Sequence, residues 1–371
     1  MDRRDWFKTS FAGTAGLWLA NAVPSRAREM VLKDLQELDT LPYFERNDEG
    51  KLALCDGVAD KIIDFHTHIG LSFLLSPPLD IEEQGPPAKT FFPVEGNRVD
   101  LTKYSAVSFT EENAKLASKE SVKQAYTKNG YNGTHTPKNL LEEMERNKVV
   151  NSVILAIDYP LGAMSRNSET YLEASRLYPG LIPFVSVHPD NPQMEKRVRE
   201  FKKEGAVGMK LHPPMQFIRA NDKKCMELTK LCGELNMPCL FHSGASDIAP
   251  DFQKDYPRIE YFWEPVRKQP ETIFILAHGG IHFYKELIEL ARQHENVWIE
   301  LSGQPPAHIR EMIDAGLEDR ILFGSDWPYY IESLPLAKTL IGTEGMPQAR
   351  QKILYDNAKR LLESVEYHEA G

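Results

Sequence analysis

Five segments of this 371-residue sequence place histidine, aspartate or lysine at the end of a short apolar run. The first ends in Asp64-Phe65-His66-Thr67-His68, and the side chains of a strand alternate between its two faces, so His66 and His68 point into one space. Two imidazoles so placed, with a third and a carboxylate from other strands, form a nitrogen and oxygen site suited to Zn²⁺ or a similar divalent ion. The sequence therefore predicts a metal centre whose ligands are all or some of Asp64, His66, His68, His242 and Asp326.

The elements that carry these residues are eight short apolar runs separated by amphipathic helical segments. The runs show little polar alternation, which is typical of strands buried on both faces in a parallel sheet. Eight such strands alternating with helices indicate an α/β protein, a (β/α)₈ TIM barrel, whose catalytic groups lie at the carboxyl ends of the strands. A doubly wound open sheet is the alternative, but it gives no reason for polar residues at nearly every strand end. The runs are residues 61–66, 149–157, 181–187, 206–211, 238–241, 272–277, 296–301 and 320–323.

A long segment, residues 69–136, interrupts this rhythm after the first strand. It contains proline-rich turns and many aromatic residues, and it leaves the carboxyl end of the strand. Loops of this length are uncommon unless they serve as lids or binding loops. We expect a lid-like insertion over the mouth of a barrel domain that covers residues 28–371.

Residues 1–27 resemble a twin-arginine signal peptide. Arg3 and Arg4 precede an aromatic pair and Lys8, a mild apolar stretch follows, and small residues stand where a signal peptidase would cut. The apolar stretch is too short to span a bilayer, and no cysteine follows it to carry a lipid anchor. We therefore expect the twin-arginine export machinery as a partner and a periplasmic or secreted protein. An amphipathic N-terminal helix is the alternative.

Composition excludes several classes of function. The chain has 44 Lys and Arg against 54 Asp and Glu, a net charge of -10, which argues against nucleic acid as a partner. No glycine-rich phosphate loop stands out, and none of the four cysteines forms a CxxC pair, so a thiolate zinc site is not expected. A small-molecule substrate is the expected partner, and a homo-oligomer stays open.

Four of the five segments that carry the predicted site residues, and one further segment near the C-terminus, resemble those of the amidohydrolase superfamily, in particular its amidohydrolase-related branch. The HxH element (residues 66–68) and the SDWP element (residues 325–328) together are specific evidence for this family, whereas HxH alone would be weak evidence. The resemblance runs from about residue 60 to the C-terminus, apart from the insertion. The matching segments are residues 64–68, 208–213, 276–280, 323–328 and 357–362.

The resemblance implies roles for the predicted site residues. His66, His68, His242 and Asp326 match positions that bind metal in the superfamily, and His278 matches one that binds a second metal or transfers protons. Lys210 matches a lysine that bridges two metals when CO₂ carboxylates it; alternatively it is a pocket cation that pairs with a substrate carboxylate. We expect the metal to be Zn²⁺. The resemblance leaves open whether the site binds one ion or two.

Two reactions recur in this branch. One is hydrolysis of an amide, ester or lactone by a metal-activated water, with Asp326 moving the proton and His278 polarising the carbonyl. The other is non-oxidative decarboxylation of an aromatic or unsaturated acid. We favour hydrolysis because a carboxylate beside a metal-activated water is the arrangement it needs, and because residues 325–328 are similar to a segment of sugar and pyrone lactonases. A non-catalytic metal-binding protein is the third interpretation, and the convergent polar groups argue against it.

Overall fold

The computed structural model describes residues 30–72, 79–124, 127, 130–160, 166–365 and 367. The predicted signal peptide, residues 1–27, lies outside the described residues. The described residues from Val31 onward form one compact unit. Among the helices that the structure describes, none is both long enough and apolar enough to cross a bilayer.

Eight parallel strands form the barrel, each hydrogen-bonded to the next in chain order. The ring is closed between its last and first strands, where the Phe65 amide donates to Phe323 O at 2.9 Å and the Asp326 amide to His66 O at 2.8 Å. The predicted (β/α)₈ fold is therefore confirmed. The strands are β1 (Ile62–Thr67), β2 (Val149–Leu155), β3 (Leu181–Val185), β4 (Gly208–Leu211), β5 (Cys239–Phe241), β6 (Phe274–Leu276), β7 (Val297–Glu300) and β8 (Ile321–Leu322).

The apolar composition of the strands follows from burial on both faces. All six residues of β1 and all five of β3 are buried, so no polar alternation appears in either. Apolar residues of the strands form one core cluster with Ala358, Leu361 and Leu362 of the C-terminal helix. The last helix thus packs on the barrel and helps to hold β8, which has only two residues.

Helices follow the strands, as the sequence predicts. Several begin at a proline, and Thr136 caps one of them by accepting a hydrogen bond from the Asn139 amide. The helices are α1 (Glu111–Gln124), α2 (Pro137–Arg146), α3 (Asn167–Leu177), α4 (Met194–Lys203), α5 (Pro213–Gln216), α6 (Lys223–Glu234), α7 (Trp263–Lys268), α8 (Tyr284–Gln293), α9 (Pro306–Asp314), α10 (Ser333–Gly342), α11 (Pro347–Gln351) and α12 (Asn357–Ser364). Outside the barrel, Val31–Leu32 pairs with Val99–Asp100, and Phe44–Arg46 with Leu52–Leu54, both antiparallel.

The insertion between β1 and α2 leaves and re-enters the barrel at one place. The Gly70 amide donates to His135 O at 2.8 Å, and the Asn132 side chain bonds both the amide and the carbonyl of Leu71 at 2.9 and 3.0 Å. Farther along, the buried Lys338 ammonium of α10 donates to Lys103 O at 2.8 Å within the insertion. The described part of the insertion is therefore anchored at its base and along its length.

Candidate active site

A cavity of about 540 Å³ opens at the carboxyl ends of the strands. Its walls combine residues from barrel strands, from the loops that follow them and from the insertion. Six of the seven site residues predicted from the sequence line it, together with one that was not assigned a role. They are His66, His68, Lys210, His212, His242, His278 and Asp326.

His66 and His68 lie on one face of β1 or directly after it, and hydrogen bonds orient both rings. His68 Nδ1 donates to Leu155 O at 2.7 Å, which leaves Nε2 as the acceptor nitrogen. His66 Nδ1 lies 2.6 Å from Glu300 Oε2, so its Nε2 also points away from that partner. Each imidazole therefore directs Nε2 towards the cavity, as metal-binding histidines with a fixed second nitrogen do.

Asp326 completes this group from the loop after β8. Its Oδ1 lies 3.4 Å from His66 Nε2 and 3.7 Å from His68 Nε2. The residue has a φ of 60°, in the left-handed region that non-glycine residues seldom adopt, and its amide bonds to His66 O. Burial raises the pKa of its carboxyl well above the ordinary value, although the nearby Lys210 ammonium opposes the shift.

The donor set fits a divalent cation. One ligand atom from each of His66, His68 and Asp326 can be chosen so that all three lie within 4.8 Å of one another. Two neutral imidazole nitrogens and one carboxylate oxygen are the ligand types that zinc and similar ions take in catalytic sites, with room left for another ligand. A second group within the same limit, His66, His278 and Glu300, is already joined by hydrogen bonds through Glu300 Oε2.

Lys210 supplies a positive charge at the bottom of the cavity, which we call its deep end. Its side chain comes from β4 and is fully buried, with Nζ 3.2 Å from His66 Nε2. Burial lowers the pKa of Lys210 to about 8, while the carboxylates of Asp326 and Glu300 pull it upward. The amine therefore loses its proton more readily than an exposed lysine would.

His242 and His278 stand beside each other, with ring centres 4.6 Å apart. His242 also stacks on His212 at 4.4 Å, and His278 Nδ1 lies 2.8 Å from Ser302 Oγ. Burial lowers the pKa of His242 to about 3, and it lowers the pKa of His278 well below its ordinary value. Both imidazoles are therefore neutral near pH 7, and each can offer a nitrogen to a cation or a substrate.

Asp64 occupies a different position from the other predicted ligands. Its side chain is buried, but Asp64 is not among the described residues that line the cavity. Its Oδ1 accepts from the amides of His66 and Ser325 at 2.9 and 3.0 Å. The structure thus brings His66, His68, His242, His278, Lys210 and Asp326 together, whereas Asp64 fixes the two backbone segments that carry the ligands.

Glu300 was not predicted, although the signal was present. Glu300 is the last residue of β7, and Lys210 likewise lies near the end of β4. A single glutamate within the apolar run of residues 296–301 does not stand apart from the strand by its residue type alone. Its Oε2 contacts His66 Nδ1, Ser302 Oγ and the His278 amide. Burial raises the pKa of Glu300 to about 7. One carboxyl therefore orients two histidines of the site.

The fold and the site define the class of this protein: a (β/α)₈ barrel enzyme with a candidate metal centre at the carboxyl ends of its strands. A family model described as amidohydrolase matches residues 63–363, and the chain belongs to that family. Its members are metal-dependent enzymes and include both hydrolases and decarboxylases. No curated protein sequence matches the chain significantly.

Solved structures with the same fold are distant in sequence. An uncharacterised TIM-barrel protein from Bordetella bronchiseptica superposes over 83% of this chain and 100% of its own, with a TM-score of 0.55 and 18% identity. The 2,6-dihydroxybenzoate decarboxylase from Rhizobium superposes over 81% of this chain and 99% of its own, with a TM-score of 0.53 and 14% identity. At such identities the likeness concerns the fold.

Proposed function

We propose that this protein is a metal-dependent hydrolase that cleaves an amide, ester or lactone bond of a small molecule. The observation that carries the proposal is the position of Asp326, whose Oδ1 is within 3.7 Å of the Nε2 atoms of two histidines. A carboxylate beside two neutral imidazoles can share a cation with them and still face the cavity with its other oxygen. That second oxygen would then serve as the base.

We infer that His66, His68 and Asp326 hold a divalent ion, with His242 as a further ligand, and that Zn²⁺ is the natural ion. These are neutral nitrogen donors and a carboxylate, which suit zinc better than the all-oxygen shells of calcium or magnesium. Bound there, the ion would act as a Lewis acid towards a carbonyl and would lower the pKa of water.

The chain's own residues divide the remaining work. Asp326 would accept a proton from the attacking water and return it to the leaving nitrogen or oxygen. His278, neutral and with its Nδ1 2.8 Å from Ser302 Oγ, would donate its Nε2–H to the carbonyl oxygen, where negative charge develops. Lys210, whose Nζ lies 3.2 Å from His66 Nε2, would stabilise the negative charge that develops at the deep end of the cavity once His66 binds the ion.

Metal analysis followed by a substrate panel tests this proposal. The purified protein should contain about one or two divalent ions per chain, and removal by a chelator should abolish turnover until Zn²⁺ is returned. The panel would contain lactones, esters and N-acyl compounds, with acid release as the measurement. A metal-free protein that binds none of Zn²⁺, Mn²⁺ and Fe²⁺ would contradict the proposal.

Decarboxylation is the second candidate, and Lys210 is the observation that favours it. A buried cation beside Asp326 can pair with a substrate carboxylate, and Phe91, Tyr104 and Tyr159 of the cavity wall can contact an aromatic ring. The decarboxylase from Rhizobium shares the fold. Incubation with 2,6-dihydroxybenzoate and related aromatic acids, with CO₂ release as the measurement, separates the two reactions.

We also propose export by the twin-arginine route, supported by residues 1–27 of the sequence. A reporter fused to that segment should reach the periplasm. Arg3→Lys with Arg4→Lys keeps the charge but removes both guanidinium groups, and it should stop export. Unchanged export of this variant would point to the general secretory route instead.

A further inference from the structure

The outer end of the cavity is apolar and open to solvent. We call Val122, Phe217, Ile248 and Phe252 the mouth cluster. Val122, Phe217 and Ile248 line the cavity, and Phe252 stacks on Phe217 with ring centres 6.3 Å apart. Val122 is 59% exposed, Phe217 47% and Phe252 66%. Large apolar side chains exposed around the opening of one cavity commonly mark a binding surface.

The left-handed backbone at position 217 gives no structural reason for a phenylalanine there. Phe217 ends α5 with φ 53° and ψ 42°, in the left-handed region. Glycine or asparagine is usual at such a helix end, because a bulky side chain is strained there. A phenylalanine held in this conformation, with about half its surface in water, serves neither the helix nor the core. Strained residues of this kind cluster at ligand sites.

Neighbouring side chains hold the Phe217 ring in place. The Tyr256 ring packs edge-on against it at 5.8 Å, and the Arg219 guanidinium lies 5.2 Å from the centre of the Tyr256 ring. Arg219 is itself paired with Asp255 at 2.6 Å. These contacts join the loop after β4 to the loop after β5, so the apolar surface exists before any ligand arrives, which reduces the entropy lost on binding.

Charge separates the outer cavity from its deep end. Among the described residues that line the cavity, Lys210 and Asp326 are the only lysine, arginine, aspartate or glutamate, and both belong to the deep end. The outer wall consists of uncharged residues from α1 and from the loop after β5, in addition to the mouth cluster. Ser118, Ser121, Ser246 and Gln253 are its polar members, and the others are apolar. The apolar members include Ala114, Ala117, Ala249 and Pro250. A ligand group that lies there meets no charged side chain of the lining, which favours an uncharged and largely apolar group.

We infer that the substrate carries an extended apolar arm, an acyl chain, which lies against the mouth cluster while the bond to be cleaved lies beside Asp326. The inference rests on the proposed hydrolysis and names its substrate class, acyl-chain esters, lactones or amides. Its basis is continuity: one cavity joins the two ends, so one molecule can occupy both. The apolar arm supplies binding energy, and the deep end supplies the chemistry.

A chain-length series tests the inference with the metal-loaded full chain. The substrates are p-nitrophenyl esters from acetate to decanoate, and kcat/KM should rise with chain length. Phe217→Gly should lower kcat/KM for decanoate about ten- to a hundredfold, the factor expected when one large side chain loses its burial, and leave acetate nearly unchanged. Val122→Ser should act in the same direction, more weakly.

Two controls separate recognition from stability. Phe217→Gly relieves the left-handed strain, so its Tm should equal or exceed that of the wild type. Leu177→Ala removes an apolar side chain of the same 47% exposure that does not line the cavity, and it should leave the chain-length profile unchanged. Binding of decanoyl hydroxamate and acetohydroxamate by calorimetry gives a readout without turnover, in which Phe217→Gly should weaken only the former.

The outcomes distinguish failure of the inference from failure of the proposed function. Ester cleavage without any chain-length preference, or an equal loss on acetate and decanoate in Phe217→Gly, overturns the inference but leaves hydrolysis standing. If no ester, lactone or amide is cleaved, yet decanoyl hydroxamate binds through Phe217, the apolar arm stands and hydrolysis falls. A Phe217→Gly variant that changes only the elution volume shows an interface between copies, which overturns the inference.

Discussion

The deep end and the mouth of the cavity are built in opposite ways. At the deep end, His66, Lys210 and Asp326 lie on or next to barrel strands, are buried and have fixed hydrogen-bond partners. At the mouth, Val122 and Phe217 come from the insertion and a loop, and both are exposed. The difference is typical of this fold, in which strands hold the reactive groups and the connecting segments select the ligand, as the inferred acyl-chain site requires.

The largest effect should follow from removing His66, which lies in β1, together with His68, which directly follows that strand. His66→Ala with His68→Ala deletes two of the three atoms that form the candidate ligand group, so metal content and activity should both be abolished. Metal per chain by elemental analysis checks the first, and turnover the second. A double variant that keeps its full metal complement would remove these residues from the ligand set, and the deep end would need another explanation.

Asp326→Asn should separate metal binding from catalysis. The amide keeps the size and one coordinating oxygen but cannot serve as a base, so kcat should fall about 10²-fold or more while most of the metal is retained. Asp319→Asn, an exposed carboxyl paired with Lys352, is the matched control and should change neither quantity. If Asp326→Asn keeps near-normal kcat, His278 becomes the better candidate for the base.

Glu300→Gln should have a smaller effect, because Glu300 acts through His66. The carboxylate oxygen 2.6 Å from His66 Nδ1 raises the basicity of the ring and fixes its orientation. An amide in its place should weaken metal affinity about 10- to 100-fold without changing the ligand set. Competition with a chelator of known affinity measures this. An unchanged affinity would mean that the barrel backbone alone orients His66.

The smallest effect concerns Lys338, which links the insertion to the barrel. Burial lowers the pKa of Lys338 to about 7, whereas the unfolded chain should titrate near the ordinary value of about 10.4. Between these values the unfolded state binds more protons, so the free energy of unfolding of the wild type should rise with pH from about 7 to about 10, relative to Lys338→Met. Denaturant titrations at several pH values measure the difference. A constant difference would show that Lys338 remains protonated, held by Lys103 O, Ser105 Oγ and Gly303 O.

The barrel was predictable because its signals are local. Apolar runs at residues 149–157 and 181–187 contain β2 and β3, and the polar residues after several runs mark the cavity. The periodicity of a strand also places His66 and His68 together without any knowledge of the fold. These features survive in a single sequence because each depends on a few neighbouring residues.

What could not be predicted depends on contacts between distant parts of the chain. Asp64 and Asp326 look alike as carboxylates at strand ends, yet Asp64 faces the amides of His66 and Ser325 and Asp326 faces the cavity. Glu300 gains its role from His66, 234 positions away in the chain. The left-handed conformation of Phe217 could not be predicted either, because phenylalanine seldom adopts a positive φ.

The way the insertion joins the barrel bears on how this enzyme could evolve. Gly70 and His135 are joined by one hydrogen bond and are both buried, so the described insertion between them begins and ends at the same point of the barrel. Such a segment can be exchanged by recombination without lengthening or shortening the path of the barrel strands. A new substrate range could therefore be acquired in a single genetic event, with His66, Lys210 and Asp326 inherited unchanged.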